Sequence, residues 1–349
     1  MEQEVRVGAA RAAAADWIAR HAAGDPAYRG SYYSGSTVGM PDDAMLAPTS
    51  DVDVVVVTDG RELPAGPGKF RHRGALLEVS RLPWADVRSP TGVLADYHLA
   101  GSFRYPSALD DPTGELAALH AEVARRFAER EWVRRRCADA RRRIVARLDA
   151  PTGPEPFHEQ VTRWLFGTGV TTHVLLVAAL RNPTVRLRYV RAREVLQVYG
   201  HTGLHRELLD LLGCADLSAG TVRRHLDTLA DTFDATARVA RTPFFFSGDL
   251  TTEARPVAVD GSRDLVEDGS HREAVFWIVA TLARCHTALA ADAPSLHRTL
   301  LPDFHAVLAD LGVTSVADLR TKAARTLDFL PRLDLVAEDI MDRHPGITG

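Results

Sequence analysis

Two periods of apolar and polar positions divide this chain. Up to about residue 112 the pattern is mostly that of short strands. Runs rich in valine, leucine and tyrosine at 28–33, 51–58 and 75–81 are bounded by turn formers such as Asp59-Gly60. An Ala-rich amphipathic helix with Trp17 and Ile18 on its apolar side is predicted over 1–23, ending at Gly24-Asp25-Pro26. A loop at 64–68, a helix over 93–99 and a short extended segment before the turn at 110–114 complete this part. Beyond it the apolar spacing is helical throughout. One long helix is predicted from 114 to about 148. Others follow at 157–180, 184–199, 205–212, 219–238, 272–290, 300–311 and 316–330, separated by a linker at 151–156, Asn182-Pro183, Gly200, Gly213 and Gly312. The expected fold class is α+β: a mixed-sheet domain over 1–112 and an all-helical domain over 113–349 that closes a cleft and selects a ligand, since ligands favour such interfaces.

The strand region carries candidate chemistry. Asp51 and Asp53 flank Val52 and lead into Val54, Val55, Val56 and Val57. Residues two apart on a strand share a face, so the two carboxylates project side by side. Adjacent like charges repel and call for a cation between them. Mg²⁺ fits, because it takes hard oxygen ligands and usually shares them with phosphates. On the next apolar strand, Glu78 is a carboxylate whose burial is costly unless it serves a metal or a substrate proton. Upstream, Gly35-Ser36 opens a short predicted helix, whose free N–H groups and positive end suit an anion.

A Gly-Ser turn, an Asp-x-Asp strand and an acid in Leu77-Glu78-Val79-Ser80 resemble the polymerase-beta-like nucleotidyltransferase superfamily, and most of all its aminoglycoside (streptomycin/spectinomycin-type) adenylyltransferases. The resemblance covers roughly residues 28–112. It implies a catalytic and metal-binding set of Asp51, Asp53 and Glu78, two Mg²⁺ ions, a triphosphate held by Gly35 and Ser36, and an NTP co-substrate, ATP being the first expectation. It implies an enzyme that moves a nucleoside monophosphate to a hydroxyl of a small polar acceptor and releases pyrophosphate. Ala280-Thr281-Leu282-Ala283-Arg284 is similar to a Leu-Ala-Arg helix of the same branch, which makes Arg284 a nucleotide-phosphate ligand by resemblance. The chain departs from the pattern between Ser36 and Asp51. That segment is longer and contains Pro41-Asp42-Asp43 and Ala47-Pro48-Thr49, which predicts an inserted loop beside the triphosphate. In the helical part, Phe276-Trp277 replaces polar positions, and the lysine that follows in the family is absent.

Composition narrows the alternatives. A net charge of -4 argues against a dedicated nucleic-acid binder. The strongest basic run, Arg125 to Arg147, reads as the solvated face of a helix, and Arg186, Arg188 and Arg191 read likewise. His173 reads as a satisfied core histidine, and the three phenylalanines at 244–246 as core or as a wall for an acceptor ring. Three widely spaced cysteines fit reduced thiols, and no Cys/His spacing suggests zinc. No membrane-spanning run and no signal peptide are read, so the expected location is cytoplasmic. Two rivals keep the same fold. One transfers the nucleotide to a protein or tRNA, as a regulator or toxin docked through the arginine face. The other is a nucleotide sensor without turnover.

Overall fold

A computed structural model describes residues 5–60, 67–149 and 153–349. The acidic start at 1–4, most of the 64–68 loop and part of the 151–156 linker lie outside the described residues. The fold is α+β, with an N-terminal mixed sheet followed by helices. The chain forms two compact units. The first comprises Met1–Arg136, Phe245–Val257 and Thr348–Gly349, and the second Cys137–Phe244 and Ala258–Ile347. The division therefore lies further along the chain than residue 112, and a short distal segment belongs with the sheet.

The strands of the first unit are β1 (Val5–Arg6), β2 (Tyr28–Ser34), β3 (Met45–Leu46), β4 (Val52–Thr58), β5 (Gly68–His72), β6 (Ala75–Pro83) and β7 (Ala108–Asp110). Five form one sheet in the order β5-β6-β4-β2-β7, and β1 pairs with β3. Strand β4 runs parallel to β6 and antiparallel to β2. It is central, and its valine run needs no polar alternation because both faces are covered. Val52, Val54 and Val56, with Leu77 and Val79, pack under the Val7–His21 helix on Ala10, Ala13, Ala14 and Ile18. Val55 and Val57 join Leu94, Phe103, Leu116 and Leu119 on the opposite face.

Three expectations change here. Beyond the loop expected at 64–68 the chain forms a further strand, β5, which makes a hairpin with β6 through Arg73-Gly74, both at positive φ (48° and 85°) as a two-residue turn requires. The segment around Pro41-Asp42-Asp43 is not a free inserted loop. The Asp42 and Ala44 carbonyls accept from the Gly8 and Val7 N–H groups (both 2.9 Å), and Leu46 pairs with Val5. The long helix predicted from 114 to 148 is two, Glu115–Arg126 and Arg130–Leu148. Arg136 is buried at the break and donates to the Phe127 (2.6 Å) and Leu94 (3.0 Å) carbonyls, so it is not part of a solvated face. The break also receives the chain's end, Arg130 N–H donating to the Thr348 carbonyl at 2.8 Å.

The second unit is helical. Its centre is formed by Phe157–Ala178 and His271–Asp292, which are buried along most of their length. The latter is long and apolar enough to cross a membrane by length and composition, but 83% of its most apolar window is buried within the protein. It carries the buried polar residues Glu273, Arg284 and His286. The helix predicted to end near Pro331 continues to Arg343, because Leu333, Val336, Ala337 and Ile340 extend its buried face past the proline. Arg188 is also buried, with its guanidinium 3.9 Å from the Phe276 ring centre, while Arg186 donates to the Gly261 carbonyl (2.7 Å) and Arg191 pairs with Glu194. Arg188 and Arg186 are thus engaged within the fold, while Arg191 keeps an exposed position beside Glu194. His173 is a core histidine whose Nε2 lies 2.9 Å from the Thr184 carbonyl. The cysteines are free thiols, as their odd number predicts.

Candidate metal centre in the mixed sheet

The sheet register brings the predicted acids together. Asp53 pairs with Glu78 across the parallel β4–β6 ladder, and Glu78 pairs with Lys69 across β6–β5. On the other side Asp53 pairs with Ser34 of β2. Directly paired residues share a face, so Ser34, Asp53, Glu78 and Lys69 form one row across four strands. Leu77 and Val79 occupy the reverse face under the first helix. Asp51, one residue before β4, completes the group. One carboxylate oxygen from each of Asp51, Asp53 and Glu78 lies within 4.8 Å of the others.

Gly35 closes one side. It follows β2 as the first residue of a single 3-10 turn, Gly35–Thr37, at φ 69°. A Cβ there would lie 1.7 Å from Asp53 Oδ2, so the absence of a side chain is what lets the backbone reach the carboxylate. Arg11 of the first helix fixes the turn by donating to the Thr37 carbonyl (2.8 Å). Ser36 is exposed beside it.

Lys69 was not anticipated. Its ammonium lies 2.9 Å from Asp51 Oδ2 and 3.0 Å from Asp249 Oδ1, and it also pairs with Glu78. The side chain is only 5% exposed. Burial alone would lower its pKa, but Asp249, Asp51 and Glu78 raise it, so it stays charged. Asp249 reaches this place because Gly248 lies directly on Gly68: a Cβ on Gly248 would fall 2.6 Å from the Gly68 Cα. In sequence the segment 244–249 showed only its aromatics. Of these, Phe246 is buried and Phe245 is exposed. The one local sign of this strand is the turn pair Arg73-Gly74 ahead of β6, and nothing in the sequence marks Lys69 itself.

The electrostatics reflect crowding. Burial, then the charges of Asp51 and Glu78, raise the Asp53 pKa well above the ordinary carboxylate value, with Lys69 opposing. Burial raises Glu78 as well; Lys69 pulls it down, while Asp249 and Asp51 push it up. Ionising this group of acids is costly and a further cation relieves the cost. The donors are all hard oxygens converging on one point, which fits Mg²⁺.

Arg284 belongs to the second unit. It lies within the His271–Asp292 helix, 6% exposed, with its guanidinium 5.0 Å from the Phe166 and 5.4 Å from the Trp277 ring centres. It is neither at a helix end nor on the surface. The arginines of 125–147 pair largely with neighbouring acids: Arg125 and Arg126 with Glu122, Arg135 with Glu131, Arg142 and Arg143 with Asp139, and Arg141 with Asp334.

No family model, no curated protein and no solved structure matches the chain.

Proposed function

We propose that this protein is an Mg²⁺-dependent nucleotidyltransferase that moves a nucleoside monophosphate from an NTP, ATP first, to a hydroxyl of a small polar acceptor, with pyrophosphate leaving. The observation that supports it best is the convergence of Asp51, Asp53 and Glu78 from two parallel-paired strands, backed by a glycine turn. Asp51 and Asp53 would hold the metal. Glu78 would complete its ligand set or take the acceptor-hydroxyl proton. When bound, the divalent ion supplies charge neutralisation to the phosphates. The Gly35 turn, with the exposed Ser36 hydroxyl, would orient the triphosphate. Phosphoryl transfer depends chiefly on such positioning and charge balance.

Transfer to a protein or tRNA draws less support, since the arginines it would use are engaged within the chain. The test is incubation of the purified protein with each labelled NTP, Mg²⁺ and a panel of polyol acceptors, following pyrophosphate. The Asp51→Asn/Asp53→Asn double variant should lose that signal while still folding. Pyrophosphate formation at an equal rate in the double variant would remove this reading. Nucleotide binding without turnover under any condition would favour the sensor.

A further inference from the structure

Lysine occurs at only two positions, Lys69 and Lys322, in a chain with 42 lysines and arginines together. The other 40 of these positions are all arginine. One of the two lysines is the cation buried among Asp51, Glu78 and Asp249. The two side chains are not interchangeable. A guanidinium is a planar fork that locks onto carboxylates, whereas an ammonium is a compact charge on a flexible stem. The stem can withdraw the charge without disturbing the strands.

We propose that Lys69 is the resident cation of this site. Its ammonium bridges Asp51 and Glu78, and a divalent ion held by these carboxylates competes with it, so Lys69 sets the metal affinity. The inference rests on the metal-site reading above and deepens it. Two of the three carboxylates within mutual reach, Asp51 and Glu78, are the ones the ammonium contacts, so ion and ammonium compete for the same carboxylates. Asp249 stands outside that group of three and gives the displaced ammonium a carboxylate to keep. Withdrawing the ammonium from Asp51 and Glu78 strands their charge, which the divalent ion replaces.

The composition makes the test simple, because amine labelling of the full chain reports on two side chains. Reductive methylation followed by peptide mass mapping should show Lys69 nearly unreactive without metal and severalfold more reactive with saturating Mg²⁺. Lys322, which is buried in the helical unit, serves as the internal control and should not change. A second measurement is calorimetric titration of Mn²⁺ into the Lys69→Met variant. Affinity should rise by about tenfold or more, the order expected when a competing cation with close carboxylate partners is removed. Mg²⁺ binding with Lys69 labelling unchanged or reduced would overturn the inference alone, as would equal or weaker Mn²⁺ affinity in the variant. Absence of divalent binding to either protein would overturn the metal reading along with it. If the variant does not fold, the labelling of the unaltered protein decides.

Discussion

Gly35 and Asp53 lie so close that a methyl group on the first would fall 1.7 Å from Oδ2 of the second. The relationship links a turn at the end of β2 to a carboxylate on β4 through the Ser34–Asp53 pairing between them. Gly35→Ala forces a choice between moving the turn and moving the carboxylate. It also places a side chain at φ 69°, a strain of about 1–2 kcal/mol for an L-residue. We expect a lower melting temperature and a larger loss of divalent-ion affinity, measured by calorimetric titration. Unchanged metal binding would mean that the turn does not position Asp53.

Asp53→Asn should stabilise the metal-free protein at neutral pH. The carboxyl group holds its proton more tightly folded than unfolded, since burial and then the charges of Asp51 and Glu78 raise its pKa above the ordinary 3.8. Below that value both states are protonated and the group contributes no pH dependence. As pH rises above it, the unfolded chain releases a proton that the folded chain keeps, so stability falls until the raised pKa is passed. The variant's advantage in melting temperature should therefore grow from near pH 4 towards neutrality. Saturating Mg²⁺ should reverse the order by stabilising only the parent. Thermal unfolding across this range, with and without Mg²⁺, checks the sign.

Much of the candidate site was legible because its parts are local. Asp51 and Asp53 lie two apart, so strand periodicity puts them on one face, and Glu78 was joined to them by the resemblance, its register with Asp53 being a long-range pairing. Lys69 and Asp249 were not legible for opposite reasons. Lys69 stands at the exit of a Pro/Gly-rich stretch, which hid a short edge strand that its pairing with β6 defines. Asp249 reaches the sheet through contact of Gly68 with Gly248, a long-range approach that leaves no local pattern. The same limit applies to arginine. Arg136 and Arg188 are spaced like surface residues, yet each is buried, by a helix break in one case and by aromatic rings in the other.

A histidine cluster in the helical unit should make that unit acid-sensitive. His286 stacks on Phe304 at 4.6 Å between ring centres and meets His297 edge-on at 5.2 Å, and His158 meets His297 at 5.5 Å. Burial, reinforced by the neighbouring imidazoles, lowers the pKa of His286 to about 3 and of His158 to about 4. Unfolded histidine titrates near 6.5, so above that pH neither state is protonated and stability is intact. As pH falls below it, the unfolded chain takes up protons that the folded chain refuses. Each group then costs about 1.4 kcal/mol per pH unit until its folded pKa is reached. Melting temperature should drop between pH 6.5 and 4, and His286→Phe should flatten that drop. An identical slope in the variant would exclude His286 from the effect.

Arg284 offers the clearest separation between a ligand arginine and a packing arginine. A side chain kept for phosphate is dispensable to the empty protein. Arg284 is 6% exposed and lies over the Phe166 and Trp277 rings, where its stem and guanidinium fill space between two central helices of the second unit. Desolvated cation–π contacts are stronger than exposed ones, and truncation also opens a cavity. Arg284→Ala should destabilise the nucleotide-free protein by roughly 2–3 kcal/mol. Arg284→Lys should recover part of this, because it keeps the stem and the charge but loses the planar face that stacks on aromatic rings. Arg284→Met keeps most of the volume and should recover part of the packing without the charge. Chemical denaturation of all three variants without nucleotide measures the structural contribution, and NTP titration of whichever variants remain folded measures any other. Full stability in the alanine variant together with lost NTP affinity would return Arg284 to the phosphate role that its Leu-Ala-Arg context suggests.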